Sequence, residues 1–356
     1  MQIVTESLTM YPELDELRGQ PGIAEVLASL APFPLDAERL VPALNWLLDN
    51  GYGRLPIAGG GRALERWSML STVAAVDLSL LKLYEGHTDA MAILDAFGAK
   101  AAKGSWGVWA AEAPGKEICF KPDGSGTGGR LFGTKAWCSG ADVLDNALIT
   151  ARTPDDQPVL VQVVLKQPGV MHDCHDWKAV GMAATHTGEV TFDAAVGHRV
   201  GKIGGYLERP GFWHGSIGIA ACWYGAACAV AMTLRHSRRL EHDPHAQAHL
   251  GAIDARLFAA RCALQSAAAA VDAASDDDAQ LLALRVRAIV ESAATETLDR
   301  VGRALGAAPL CMDAAHARRC ADLTTFLRQS HAESDLQELG ARCMQDDGNL
   351  LQEAHL

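Results

Sequence analysis

The sequence predicts an α+β protein in which an N-terminal helical domain, a central antiparallel β-domain and a C-terminal four-helix bundle follow one another. Three observations predict this order. Apolar residues recur at helical spacing up to about residue 100, short β-rich runs between turn signals fill residues 106–200, and helical spacing returns near residue 211. A chain of 356 residues is long enough for two or three such units. We place the domain boundaries at 1–105, 106–208 and 209–356.

Composition narrows the function classes before any motif is considered. Hydrophobic residues make up 49% of the chain, which supports a large core, and the net charge is −12 without a basic block. The negative net charge therefore argues against nucleic acid and anionic membranes as partners. It is still compatible with an anionic small molecule, because local arginines can bind one. The nine cysteines show no CxxC pair, and the N-terminus has no apolar signal segment. We expect reduced thiols, no metal site and a cytoplasmic protein.

The N-terminal domain is predicted from three helical segments. Residues 35–51 place Asp36 as an N-cap, set leucines on one face and stop at Gly51. Residues 62–86 carry a second apolar stripe, and residues 87–98 form a short helix that ends at Gly98. His87, in this last segment, is interpreted as a histidine of the helical layer.

The central domain is predicted from six short runs separated by turn signals such as PDGSGTGG and TPDDQ. The runs are GVWAAEA, EICFKP, GRLFGTKAWCS, NALITAR, PVLVQVVL and GEVTFDAAV. Trp137, in the third run, is open to two interpretations: it belongs to the β-core, or it forms a surface for a flat ligand.

The C-terminal bundle is predicted from four helical stretches with short connections. Residues from about 211 are apolar nearly all round, and Asp243-Pro244 ends that stretch. A loop at Ser275–Asp278 offers its last aspartate as the next N-cap, the third helix ends at Gly306, and the last covers roughly residues 317–343.

Four strings in this order resemble the acyl-CoA dehydrogenase family. They are GTKAWCSGADVLDNALITAR, WKAVGMAATHTGEVTFDAAV, AIDARLFAARCAL and RVGRALGAAPLCMDAAHARRCADLTTFLRQ. The similarity covers most of the chain and is firmest between Gly133 and Leu339. It implies the acyl-CoA dehydrogenase fold, with FAD as the cofactor.

The resemblance also implies which residues meet the flavin. Trp137 would pack against the isoalloxazine ring, and Ser139 would place its hydroxyl near flavin N5. Trp109 and Ala111 fall beside the flavin, with Ala111 where the family has a threonine. At the other end of the cofactor, Arg235 corresponds to the arginine that pairs with the FAD pyrophosphate of a neighbouring subunit. Gly306, after Arg303, corresponds to the first glycine of the turn that approaches the ADP part. Arg238 and Arg239 leave the register of Arg235 open, and Gly306 is equally interpreted as a helix cap.

The chain departs from the family at the catalytic base. The family's glutamate position falls on Ser330, next to His331, and the alternative position on the long helix falls near Gly215. Serine has no basic form at neutral pH without a partner. The candidate catalytic residues are therefore His214, Ser330 and His331, although His214 also fits a plain helix-end role.

Three functions follow from this resemblance. The first is an FAD-dependent oxidoreductase acting on an acyl thioester or a related activated acyl group. The second is a flavin monooxygenase of the same fold that uses reduced flavin and O₂, and the third is a non-catalytic scaffold paralogue. The resemblance implies a homo-dimer or tetramer and an electron-transfer or reductase partner.

Overall fold

The computed structural model describes Ile23, Leu27 and residues 29–124, 126–209, 211–273 and 278–345. The predicted helical start at residues 11–22 and the loop residues 275–277 lie outside this part. The chain forms two compact units, one from Met1–Ile57 and Val76–Phe212 and the other from Ala58–Ala75 and Trp213–Leu356. The predicted division into three domains stays a prediction.

Aspartate caps define the helices of the N-terminal region, as their positions in the sequence indicate. Helix α1 (Ala37–Leu47) starts after Asp36, whose carboxylate accepts from the Arg39 N–H at 2.9 Å. The chain then turns at Gly51, where φ is 89°. The predicted boundary between residues 86 and 87 is wrong. The segment contains α2 (Ala63–Val76) and one continuous α3 (Leu78–Ala96), because Asp77 leaves the helix and caps the Leu80 N–H at 2.9 Å.

The described residues contain a seven-stranded sheet that belongs to the first unit. Its strands are β1 (Trp106–Trp109), β2 (Ile118–Pro122), β3 (Gly128–Cys138), β4 (Asn146–Arg152), β5 (Pro158–Val164), β6 (Val170–Asp173) and β7 (Gly188–Val200). They are ordered β1-β4-β2-β3-β7-β5, and β5 also pairs with β4, so that five strands close into a ring. Most pairings are antiparallel, while β1 runs parallel to β4.

Strand β6 is the one strand of this sheet that the sequence does not predict. Its four residues are half-buried or exposed, so they show no apolar alternation that would mark a strand. It forms because β7 offers a free edge, to which residues 170–173 pair in antiparallel register.

Three long helices dominate the described part of the second unit: α5 (Gly211–Arg235), α6 (Pro244–Asp272) and α7 (Ala279–Leu305). The shorter α8 (Ala308–Met312) and α9 (Ala314–Phe326) follow them, while the short α4 (Gly205–Glu208) belongs to the first unit. Asp278 caps α7, as predicted, and Asp243 caps α6; each accepts from a backbone N–H at 2.9 Å. Of the described helices, α5 alone has the length and composition to cross a membrane, and 83% of its most apolar window is buried inside the protein.

The prediction of a single last helix over residues 317–343 is wrong. A 3₁₀ turn (Leu327–Gln329) follows α9, and α10 (Glu333–Gln345) begins only after Ala332, whose φ is 47°. Side chains stabilise this break, because Ser330 Oγ accepts from the Ala332 N–H at 3.2 Å and Asp335 accepts from the His331 N–H at 3.1 Å.

Candidate functional site

Trp137 lies on a bulge at the end of β3, and its side chain is turned outward. The register with β7 shifts between the pairs Lys135–Val190 and Cys138–Gly188, which places one extra residue in β3. Trp137 takes up the shift with a φ of 56°, a conformation that is uncommon for a residue other than glycine. The residue is 59% exposed. Trp137 therefore does not belong to the β-core, and the alternative of an outward flat surface remains.

Ser139 and Trp109 are brought together beside this bulge. Trp109 is buried, and its indole N–H donates to the Ser139 carbonyl at 3.0 Å. A Cβ at Gly107 would stand 2.9 Å from Trp109 Nε1, so only glycine leaves room for the indole in this position. The buried indole of Trp109 thus holds the Ser139 backbone in place through this hydrogen bond.

Two buried threonines continue the hydrogen bonding of the Ser139 hydroxyl into the protein interior. Thr187 Oγ1 donates to Ser139 Oγ at 3.2 Å, and Thr185 Oγ1 lies 2.7 Å from Thr187 Oγ1. Both threonines are at most 7% exposed. Sequence reasoning missed them, although the THT pattern inside the second family-like string could have suggested two hydroxyls on the same side.

Lys135 holds the segment that leads to Ala111. Its buried ammonium donates to Thr150 Oγ1 at 2.8 Å, and Thr150 Oγ1 donates to the Ala110 carbonyl at 3.3 Å. Burial lowers the pKa of Lys135, and the negative charge of Glu112 works against that shift. Ala111 itself is exposed, immediately after this anchored carbonyl.

The residues predicted for the far end of the cofactor lie at the ends of two helices of the second unit. Arg235 is the last residue of α5, and Gly306 ends α7 with a φ of 71°. Arg239 follows α5 and donates to the Ala304 carbonyl at 2.5 Å, which brings the two helix ends together. Arg235, Arg303 and Gly306 are all exposed.

The segment at the family's base position contains a serine–carboxylate pair, in which the serine is buried and the carboxylate is half-buried. Ser330 Oγ donates to Glu291 Oε2 at 2.6 Å, and Glu291 Oε1 accepts from Arg328 at 2.9 Å. Ser330 and Glu291 line a cavity of about 480 Å³ between α7 and the start of α10. His331 does not share this environment: its side chain is 78% exposed and contacts Asp335 at 3.3 Å.

His214 and His87 do not line the cavity that Ser330 lines. His214 is half-buried in the first turn of α5, where its ring stands 3.5 Å from the place of a Cβ on Gly59. His87 is buried beside Gly53, and burial lowers its pKa to about 4. His87 is therefore a neutral histidine at physiological pH.

The sequence matches no protein-family model and no curated protein. Solved structures do match its fold. Butyryl-CoA dehydrogenase from Megasphaera elsdenii is 14% identical with a TM-score of 0.73, over 97% of this chain and 98% of that one. KijD3, solved with FMN and a dTDP-sugar, is 19% identical with a TM-score of 0.73, over 99% and 96%.

A third similar structure is TdsC from Paenibacillus sp. A11-2, a dibenzothiophene monooxygenase that was also solved with FMN and indole. It is 19% identical with a TM-score of 0.70, over 95% of each chain. These similarities define the class of structure: the chain has the acyl-CoA dehydrogenase fold. The fold class that the four sequence strings predict is thereby confirmed.

Proposed function

We propose that this chain is a flavin-dependent oxidoreductase whose flavin ring lies against Trp137 and Ser139. The observation that carries the proposal is the indole of Trp137, which is 59% exposed on a bulge with left-handed backbone. Exposing an indole gives up burial that stabilises the fold, and a left-handed backbone at a bulky residue is strained. A planar aromatic ligand placed on that indole would recover the lost burial.

The neighbouring polar groups fit a flavin as well. Ser139 accepts a hydrogen bond from Thr187, so its own hydroxyl proton is left to donate to a ring nitrogen or carbonyl. Bound there, a flavin supplies two-electron redox chemistry that the protein's side chains lack. Trp109 and Lys135 keep the two flanking segments in place through backbone and hydroxyl contacts.

We propose FAD as the form of the flavin. The support is two exposed arginines at helix ends of the second unit, Arg235 at the end of α5 and Arg303 in the last turn of α7, which could meet the pyrophosphate of an FAD held by a neighbouring subunit. TdsC and KijD3 were solved with FMN. Comparing the Kd of FAD with that of FMN, in the wild type and in Arg235→Ala, tests this choice. If Arg235 contacts the pyrophosphate, Arg235→Ala should raise the Kd of FAD and leave the Kd of FMN unchanged.

For the substrate, the first candidate is an acyl thioester or a related activated acyl group. Dehydrogenation of such a group needs a base at its α-carbon. Ser330 can pass a proton to Glu291 across their 2.6 Å hydrogen bond, so that the pair supplies the partner that serine alone lacks. His214, at the start of α5, is a second candidate for this proton.

The second candidate is a monooxygenase that uses O₂ and externally reduced flavin. Two observations favour it: a serine hydroxyl replaces the carboxylate at the base position, and TdsC, with the same fold, is a monooxygenase. This function needs a reductase partner. We also propose a homo-oligomer, which would cover the exposed apolar side chains of the second unit, such as Phe258 and Met312.

The deciding experiment is a visible absorption titration of the purified protein with FAD and with FMN, followed by two assays. Anaerobic bleaching of the bound flavin by one of a panel of acyl-CoAs supports dehydrogenation. O₂ consumption only with supplied reduced flavin supports monooxygenation. A colourless protein that binds neither flavin supports the scaffold and contradicts the proposal.

A further inference from the structure

Three hydroxyl groups form a chain from the protein interior to the surface beside Trp137. Thr185 Oγ1 donates to the Met182 carbonyl at 2.7 Å and also lies 2.7 Å from Thr187 Oγ1, which lies 3.2 Å from Ser139 Oγ. Thr185 is 1% exposed and Thr187 is 7% exposed, whereas Ser139 is only half-buried. The chain therefore opens toward a ligand at the serine end.

The backbone fixes the two segments that carry these hydroxyls. The Gly140 N–H donates to the Thr185 carbonyl at 2.9 Å, and the Ala141 N–H donates to the His186 carbonyl at 3.0 Å. Trp109 anchors the Ser139 carbonyl from the other side. The hydroxyl oxygens are thus held at fixed separations, while each O–H remains free to rotate about its C–O bond.

The three hydroxyl protons can satisfy the chain in two opposite directions. In the outward direction Thr185 donates to Thr187, Thr187 donates to Ser139, and the Ser139 proton points to the ligand. The Met182 carbonyl is still satisfied in this state, because the Thr185 N–H donates to it at 3.1 Å. In the inward direction a ligand N–H donates to Ser139, and the last proton of the chain, on Thr185, goes to the Met182 carbonyl. Each direction uses every proton once.

We infer that Thr185 and Thr187 are positioning residues that let Ser139 act as donor to an oxidised flavin and as acceptor for a reduced one. The inference rests on the proposed function. Oxidised flavin presents a bare ring nitrogen at N5, whereas reduced flavin presents an N–H there. A serine that always accepts from Thr187 would have no acceptor for its own proton when the ring presents an N–H, whereas the reversible chain passes that hydrogen bond inward to Thr187.

A hydroxyl chain that serves both redox forms of the flavin and a chain that serves only the oxidised form predict different effects when the chain is interrupted. If the chain serves both forms, Thr187→Val weakens oxidised and reduced flavin by the same factor, about threefold to tenfold for one neutral hydrogen bond. The reduction potential of the bound flavin then stays unchanged. If the chain serves only the oxidised form, that form alone is weakened, and the potential rises by about 30 mV for each tenfold loss.

The test measures the Kd of oxidised and reduced FAD and FMN, and the potential of the bound flavin, for the wild type, Thr187→Val and Thr187→Ser. Thr187→Ser is the matched control, because it retains the hydroxyl and should behave as the wild type. Thr185→Val interrupts the chain one step deeper, and it is the second variant should Thr187→Val fail to fold. We expect equal losses in both redox states at a constant potential.

A loss confined to oxidised flavin with a raised potential overturns the inference, and so does wild-type affinity in both valine variants. Either result leaves the proposed function standing, because the wild type still binds flavin. Failure of the wild type to bind FAD or FMN refutes the proposed function itself.

Discussion

His87 makes the stability of this protein sensitive to mild acid. It lies in α3, is 5% exposed, and lines a cavity of about 390 Å³ together with Gly53 and Arg54. Burial is the main cause of its lowered pKa, and the positive charge of Arg54 acts in the same direction. A hydrogen bond with the Gly53 backbone opposes the shift only in part.

The size and sign of the effect follow from this pKa. It falls from 6.5 in the unfolded chain to about 4 in the folded protein. Below pH 6.5 the unfolded chain therefore binds a proton that the folded protein refuses, and the free energy of unfolding falls as the pH drops from 6.5 toward 4. A shift of this size corresponds to about 3 kcal/mol over that window. Above pH 6.5 the histidine is neutral in both the folded and the unfolded chain, so it no longer lowers the free energy of unfolding.

Urea unfolding between pH 7.5 and 4 measures this dependence, with His87→Gln as the variant that cannot titrate. The difference in unfolding free energy between the two proteins should change by about 3 kcal/mol across the window. Taking this difference cancels other groups, such as His316, whose pKa is also lowered, and Glu85, whose raised pKa has the opposite effect. Parallel pH profiles for His87→Gln and the wild type would refute the reasoning.

Two further predictions concern the packing of the second unit. A Cβ at Gly225 in α5 would stand 2.1 Å from the carbonyl oxygen of Ser71 in α2. Gly225→Ala should therefore force the two helices apart and lower the thermal midpoint, at a cost of about 1–3 kcal/mol in stability. Gly251→Ala, in α6 with no described atom within 4 Å, should raise the midpoint instead, and equal midpoints for both variants would contradict this packing. Asp272 accepts from the backbone N–H groups of residues 61 and 63 at 3.0 and 2.7 Å, so Asp272→Ala should cost about 1–2 kcal/mol in urea unfolding. Asp254 is exposed on the same helix, so Asp254→Ala should leave the free energy of unfolding unchanged. A similar loss of stability in both variants would contradict the role of the Asp272 hydrogen bonds.

The sequence predicts the parts of the fold that local chemistry determines. Asp36, Asp243 and Asp278 each cap a helix within three residues, so their roles can be read from neighbouring positions. Strand β6 and the break at Ser330 depend instead on partners elsewhere in the chain. Ser330, for example, bonds Glu291 across 39 positions, which periodicity cannot reveal.

The candidate site divides in the same way. The family-like strings direct attention to Trp137 and Ser139, but they do not indicate the left-handed backbone that turns the indole outward. Thr187 reaches Ser139 across 48 positions, and Lys135 of β3 reaches Thr150 of β4, a strand that is separated from β3 by β2 in the sheet. Such contacts arise from the arrangement of the strands, so they become visible only once the strands are placed.

The most direct test of the account is a flavin titration of the wild type and Trp137→Ala, followed by flavin absorbance and fluorescence. Alanine retains the strained backbone of the bulge and removes only the indole, and Trp46→Phe, on α1, controls for the loss of a tryptophan elsewhere. If the flavin ring lies on Trp137, the wild type and Trp46→Phe bind flavin alike, while Trp137→Ala binds about tenfold more weakly because the aromatic contact is lost. Equal flavin binding by Trp137→Ala and the wild type, or no binding by the wild type, would contradict the central claim.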